Sequence, residues 1–170
     1  MSVIATLNVG ENGATSLAGS SSGISTAVDR ERFLKLHRRA GAHIAGPNSA
    51  SSELYSSTKI PLVILTRSTH HKGAQACEII NTSDGLQDVM RDIKSRFPAP
   101  IVVEAGPKLL HALVNQGCIE EIELSISPLN GDGNFINISE LLTHFNLTSD
   151  EAVNGTRLLH GRYNGDSAYR

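Results

Sequence analysis

Three short stretches put small residues, hydroxyls or a cation where an apolar run ends, and each suits a phosphate. Val102-Val103-Glu104-Ala105-Gly106-Pro107-Lys108-Leu109-Leu110 reads as a buried strand feeding a helix through a glycine-bearing turn. The first amides of such a helix have no partner inside it, its dipole favours an anion, and Gly106 lets a pyrophosphate approach the backbone. The stretch is neither GxGxxG nor a P-loop, so a plain strand-to-helix turn stays open as the alternative. Leu65-Thr66-Arg67-Ser68 offers hydroxyls and a planar guanidinium fork for a phosphate monoester, against the reading of a solvated loop arginine. Gly46-Pro47-Asn48-Ser49 is a third strand end whose small residues permit backbone approach. Three such ends can line one crevice, the place where open α/β sheets bind ligands.

Other reactive residue types point to structure rather than chemistry. His70-His71 are adjacent with no carboxylate cluster, so they read as loop residues and no metal site is expected. His43 sits in an apolar run and reads as a core histidine, and Glu120-Glu121-Glu123 as the solvated face of a strand. Cys77 and Cys118 lack any CxxC or Cys/His spacing, which favours buried thiols over zinc or a disulfide.

The elements that must position these residues follow from periodicity. Val3 to Val9 is a strand, and the Gly- and Ser-rich stretch Gly13 to Ser25 a mobile loop. Thr26-Ala27-Val28-Asp29 has capping-box spacing, with Phe33, Leu36 and Ala40 on one face of the helix it opens. Ala42 to Ala45 is a short strand, and the apolar run Pro61 to Thr66 a central strand buried on both faces. Ala76 to Ile80 is a further short strand. Asp84 opens a helix with Leu86, Val89, Met90, Ile93 and Phe97 inward. Ile101 to Val103 is a strand, Pro107 the first residue of the next helix, and Gly117 its stop. Ile122, Leu124 and Ile126 alternate with polar residues in a half-exposed strand. With Arg157 to Tyr163, that strand predicts an antiparallel edge on an otherwise βαβ sheet.

Several segments together carry a resemblance. Asn12-Gly13-Ala14-Thr15 through Gly19-Ser20-Ser21, Asp29-Arg30, Ala42-His43-Ile44-Ala45-Gly46, Glu53 and Tyr55 follow one another in a known order. So do Val103 to Leu110 and Ile119 to Pro128. Over most of its length the chain resembles the reductase domain of bacterial riboflavin biosynthesis. The resemblance implies a dihydrofolate-reductase-like α/β fold, with a predominantly parallel mixed sheet, an antiparallel C-terminal edge and helices on both faces. It also implies a homodimer and an NADPH-dependent oxidoreductase of the CH–OH class. That enzyme resembles 5-amino-6-(5-phosphoribosylamino)uracil reductase and transfers hydride to the ribosyl group of a small pyrimidine substrate. By the same resemblance Gly46, Ser49, Thr66, Arg67, Ser68, Gly106 and Leu109 hold NADPH, Asn12 and Ser21 meet the substrate, and Asn12 and Glu104 are the catalytic candidates. The chain departs from the family with Asn12 for its usual Asp, Ala105 for a Gly, Ser49 for a Thr, and His37 or Arg38 for an Arg. It is also shorter between Tyr55 and Pro61.

Composition bounds the rest. At 170 residues, with 39% hydrophobic and 19% charged, the chain fits a single domain over 1–170 with a packed core. A net charge of −2 and 4% aromatics give no footprint for nucleic acid. No apolar run reaches membrane-spanning length and no basic leader precedes Val9, so the expected location is the cytoplasm, without membrane contact, and the Asn-x-Ser/Thr sequons are chance matches. Two alternatives stand beside the reductase: a non-catalytic nucleotide-binding sensor of the same fold, and a dihydrofolate reductase-type enzyme.

Overall fold

The computed structural model describes residues 2–49, 59–67, 77–83 and 85–165. Strand β1 (Val3–Gly10) enters a folded flap that carries β2 (Ala14–Ser16) and a 3-10 turn over Ser21–Gly23. Helix α1 (Ala27–His37) follows, then β3 (Ala42–Ala45), β4 (Leu62–Thr66), β5 (Cys77–Asn81), α2 (Leu86–Arg96), β6 (Ile101–Glu104) and α3 (Pro107–Asn115). The chain continues through β7 (Glu121–Ser127), β8 (Gly133–Phe135), α4 (Ile138–Leu142), β9 (Phe145–Val153) and β10 (Thr156–Tyr163). One eight-stranded sheet runs β5-β4-β3-β6-β1-β7-β10-β9, and β2 pairs with β8 in a separate ribbon.

From β5 to β7 the strands are parallel, and β10 and β9 add antiparallel pairing at the far side. The alternation of side chains divides the core between two faces. Val3, Ala5, Leu7 and Val9 of β1 join Leu86, Met90 and Ile93 of α2 and Leu110, Leu113 and Val114 of α3 in one cluster. Ile4 and Val102 pack with Leu36 of α1 on the other face. Among the described residues no helix is long and apolar enough to cross a membrane.

Local signals explain where the helices begin and end. Thr26 caps α1, its hydroxyl accepting the Asp29 amide at 3.2 Å, while the Asp29 carboxylate accepts the Ser25 hydroxyl at 2.8 Å. α3 has Pro107 in its first turn, and Gly117, at φ +66, closes it as its amide and that of Cys118 bond the carbonyls of Val114 and Leu113.

The structure corrects four expectations. Gly13 to Ser25 is not a mobile loop, because β2, the 3-10 turn and the Leu17–Ser20 bridge order it against the β7–β8 connection. Helix α2 begins at Leu86 with Gly85 as its cap; Asp84 lies outside the described residues. β7 is interior and parallel to β1; only its pairing with β10 is antiparallel, and the edge belongs to β9. The glutamates at the start of β7 and just before it are not a solvated face, since Lys94 pairs with Glu120 at 2.9 Å, His160 with Glu121 at 3.0 Å and Arg32 with Glu123 at 3.0 Å. Cys118 is a buried thiol and His43 is fully buried.

Candidate active site

The parallel strands all finish at the same end of the sheet, and the chain leaves two neighbours there in opposite directions. From β3 it passes outward to β4, whereas from β6 it crosses through α3 to β7 on the far side of β1. Such a switch point is where open α/β sheets form a ligand crevice, here at the ends of β3 and β6, with Gly46 just past one strand and Gly106 just past the other.

Among the described residues nothing in packing or backbone conformation requires either glycine. A Cβ at Gly106 would meet nothing within 4 Å among the described residues, and Gly106 has an ordinary extended backbone at φ −64, ψ 165. A Cβ at Gly46 would meet only Cδ2 of Leu109, at 3.7 Å, an ordinary contact. By contrast, Gly10 and Gly131 are structural, since a Cβ would fall 2.4 Å from the Leu129 carbonyl oxygen and 2.2 Å from that of Ser16. Two glycines whose Cβ positions are open among the described residues, at the ends of neighbouring strands, leave room for a group outside the protein to approach the backbone.

The charge pattern of the crevice suits an anion. Gly106 gives α3 no side-chain cap and its first turn holds no acidic residue, so the amides of Lys108 and Leu109 and the positive end of the helix dipole face outward. Thr66, at the end of β4, is buried at 5% exposure, and its carbonyl accepts the Thr82 amide at 2.9 Å, which leaves Arg67 exposed beside it. Ser49 is half-buried just past β3, and Leu109 ties α3 to the end of β3 through Gly46. Ser68, Glu53, Tyr55 and the His70-His71 pair lie outside the described residues.

The remaining predicted residues stand on the β1 side. Glu104 ends β6 opposite Ala45, and because Val102 faces α1, Glu104, two residues on, faces that side as well. Asn12 follows β1, and Ser21 opens the 3-10 turn of the flap. The structure thus gathers Gly46, Thr66, Arg67, Gly106 and Leu109 around the ends of β4, β3 and β6. Asn12 and Ser21 sit on the flap beyond β1, and Glu104 lies on the border between the two sets.

Two features of this region escaped the sequence reading. The side-chain amide of Asn12 is already engaged, donating to the Gly131 carbonyl at 2.9 Å and accepting the Gly131 amide at 3.2 Å. Asn8, within β1 opposite Ser125, buries both amide atoms with no hydrogen-bond partner among the described residues. A polar side chain in an otherwise apolar strand was the available signal for Asn8, whereas the Asn12 contact spans a sequence separation of 119.

His43, on the α1 face of β3, stacks on His37 with ring centroids 3.9 Å apart. Burial and the neighbouring His37 push its pKa down to about 4, and burial also lowers that of His37. Both are neutral packing groups near pH 7, away from the crevice. A separate cavity of about 690 Å³ opens at the opposite end of the sheet, lined by Ser2, Ile4, Arg39, Pro100 and Arg162, and contains none of the predicted site residues. The crevice is the better candidate because the uncapped helix, the cation and the two unneeded glycines converge there. Among the described residues no three His, Cys, Asp or Glu side chains gather where they would hold a metal ion.

No curated protein sequence matches the chain. Solved structures superpose on nearly all of it. A pyrimidine reductase-like protein of Corynebacterium diphtheriae shares 18% identity, with 97% of this chain and 92% of that one covered and a TM-score of 0.77. A diaminohydroxyphosphoribosylaminopyrimidine deaminase/5-amino-6-(5-phosphoribosylamino)uracil reductase of Thermotoga maritima shares 14%, with 95% of this chain and 56% of that one covered and a TM-score of 0.68. This chain therefore spans about half the length of that protein. Dihydrofolate reductase of Enterococcus faecalis, complexed with NADP(H) and RAB-propyl, shares 11%, with 96% and 97% covered and a TM-score of 0.70. At these identities the likeness is one of fold, a dihydrofolate-reductase-like mixed sheet. The family model of the RibD C-terminal domain matches residues 12–134, the span from the end of β1 through the crevice to β8, and the chain belongs to that family.

Proposed function

We propose that the protein is an NADPH-dependent reductase acting on a ribosylaminopyrimidine, of the kind that makes a ribityl chain in riboflavin biosynthesis. The carrying observation is the pair Gly46 and Gly106, whose Cβ positions are open among the described residues and which follow the neighbouring strands β3 and β6 at the switch point of the sheet. Bound there, the nicotinamide supplies the hydride, and the protein's share is placement. Gly106 and the first amides of α3 receive the pyrophosphate, Gly46 and Leu109 flank it, and Ser49, Thr66, Arg67 and Ser68 hold the phosphorylated ribose, with Arg67 favouring NADPH over NADH. Glu104 orders the substrate hydroxyls, and Ser21 approaches the substrate from the flap. The reaction reduces the ribosyl group and oxidises NADPH, the reverse sense of oxidation at a CH–OH donor.

The test is calorimetric titration with NADPH of the wild type and of Gly106→Val. The variant is expected to lose about a hundredfold in affinity with an unchanged melting temperature, since a Cβ there touches no atom of the described residues. Unchanged affinity would remove the cofactor assignment. Oxidation of NADPH on adding the ribosylaminopyrimidine separates the reductase from a sensor that binds without turnover. We further propose that two copies pair, as the family resemblance implies. Light scattering should then give about twice the 18.1 kDa of one chain, and a monomer at working concentration would remove that part.

A further inference from the structure

A run of hydrogen bonds starts at Asn12 and ends at the turn that carries Ser21. The Asn12 amide meets the Gly131 peptide at both ends, Nδ2 donating to the carbonyl at 2.9 Å and Oδ1 accepting the amide at 3.2 Å. Oδ1 also accepts the Ala14 amide at 3.3 Å. Gly131 is held tightly, because a Cβ there would lie 2.2 Å from the Ser16 carbonyl oxygen. The next residue continues the run. The Asp132 amide donates to the Ser16 carbonyl at 2.9 Å, and both its carboxylate oxygens lie 3.0 Å from the Ala18 amide. Ala18 has φ +50, a conformation uncommon outside glycine, which the two Asp132 contacts help hold. From there Leu17 and Ser20 exchange backbone bonds of 2.9 and 3.0 Å, and the Ser20 hydroxyl accepts the Ser22 amide at 3.2 Å.

Only an amide fits the first link. Asn presents a donor and an acceptor side by side, the complement of a peptide group. An ionised carboxylate has no donor for the Gly131 carbonyl and would set two oxygens against each other at hydrogen-bond distance. The family's usual Asp is therefore incompatible with the arrangement in this chain.

We propose that Asn12 is a positioning residue, an amide latch that acts with Asp132 to fix the turn bearing Ser21, and not a proton donor to the substrate. That Ser21 meets the substrate rests on the reductase reading; the latch itself does not.

The experiment compares Asn12→Ala, Asn12→Asp, Asp132→Ala and Asp132→Asn with the wild type, by hydrogen exchange over residues 12–22 and by steady-state kinetics. Asn12→Ala and Asp132→Ala should exchange faster over that segment. They should also raise KM for the ribosylaminopyrimidine about tenfold, with kcat within about threefold and NADPH affinity within about twofold. Asp132→Asn keeps an acceptor for Ala18 and should stay close to wild type, which a merely charged contact would not predict. Asn12→Asp should behave like Asn12→Ala, with no new acidic limb in the pH profile of kcat. A faster Asn12→Asp enzyme, or one that gains such a limb, would overturn the proposal, as would unchanged exchange in both alanine variants. If Asn12→Ala fails to fold, the Asp132 pair carries the same comparison. If the wild type oxidises no NADPH, the reductase reading fails and the exchange data alone decide the latch.

Discussion

At the level of single residues, the useful distinction is between what the protein needs for itself and what it does not. Gly106 has room for a side chain that no described residue fills, whereas the Asn12 amide is engaged by Gly131 and Ala14. Asn8 is a third kind, a buried amide in β1 whose two polar atoms bond nothing among the described residues. Leaving such a group unsatisfied costs about 1–3 kcal/mol, and a similarly shaped apolar side chain removes that cost. Asn8→Leu is therefore expected to raise stability by about 1–2 kcal/mol, seen as a higher midpoint in urea at unchanged slope. A lower midpoint would mean that Asn8 is satisfied in solution.

At the level of elements, legibility followed burial. The buried runs that became β4 and β6, and the helices α2 and α3, could be read from the sequence because each shows a solvent-excluded face in its periodicity. β9 could not, since after Phe145 its residues are exposed on both faces and no alternation marks it. The three-residue strands β2 and β8 exist only because they pair across more than a hundred positions. Glu120, Glu121 and Glu123 looked solvated because their partners Lys94, His160 and Arg32 come from α2, β10 and α1. The crevice glycines were visible as strand-end punctuation, but that they are dispensable to packing needed the third dimension. The contact of α1 with β3 carries a pH dependence for the same reason. His43 has a folded pKa of about 4 against an ordinary 6.5, and that of His37 is also lowered. Between those values the unfolded chain binds a proton that the folded chain excludes, so stability is full above pH 6.5 and falls as the pH drops towards 4. His43 alone contributes about 3 kcal/mol across that window. Urea unfolding at pH 7 and pH 5 should show the wild type losing about 2 kcal/mol and His43→Leu distinctly less. Equal losses in the two proteins would remove His43 as the cause.

At the level of the whole molecule, the sheet order separates the two halves of the proposed reaction. The proposed cofactor residues lie on or just past β4, β3 and α3, the flap and its proposed latch belong to β1 and the β7–β8 connection, and Glu104 of β6 stands between them. Binding at one side should then stabilise the protein without help from the other. A ligand present at about one hundred times its dissociation constant adds about 2.7 kcal/mol to a protein that binds it only when folded. For a chain of this length that is a rise of about 5–10 °C in melting temperature. Saturating NADPH should produce that rise in the wild type and equally in Asn12→Ala, because among the described residues the hydrogen bonds of the latch reach none of the crevice residues. Gly106→Val should show little or none, although its melting temperature without cofactor matches the wild type. A rise lost in Asn12→Ala would mean that the flap closes over the nicotinamide cofactor and that the two halves form one site. A rise retained in Gly106→Val would move the cofactor away from the β3–β6 crevice altogether.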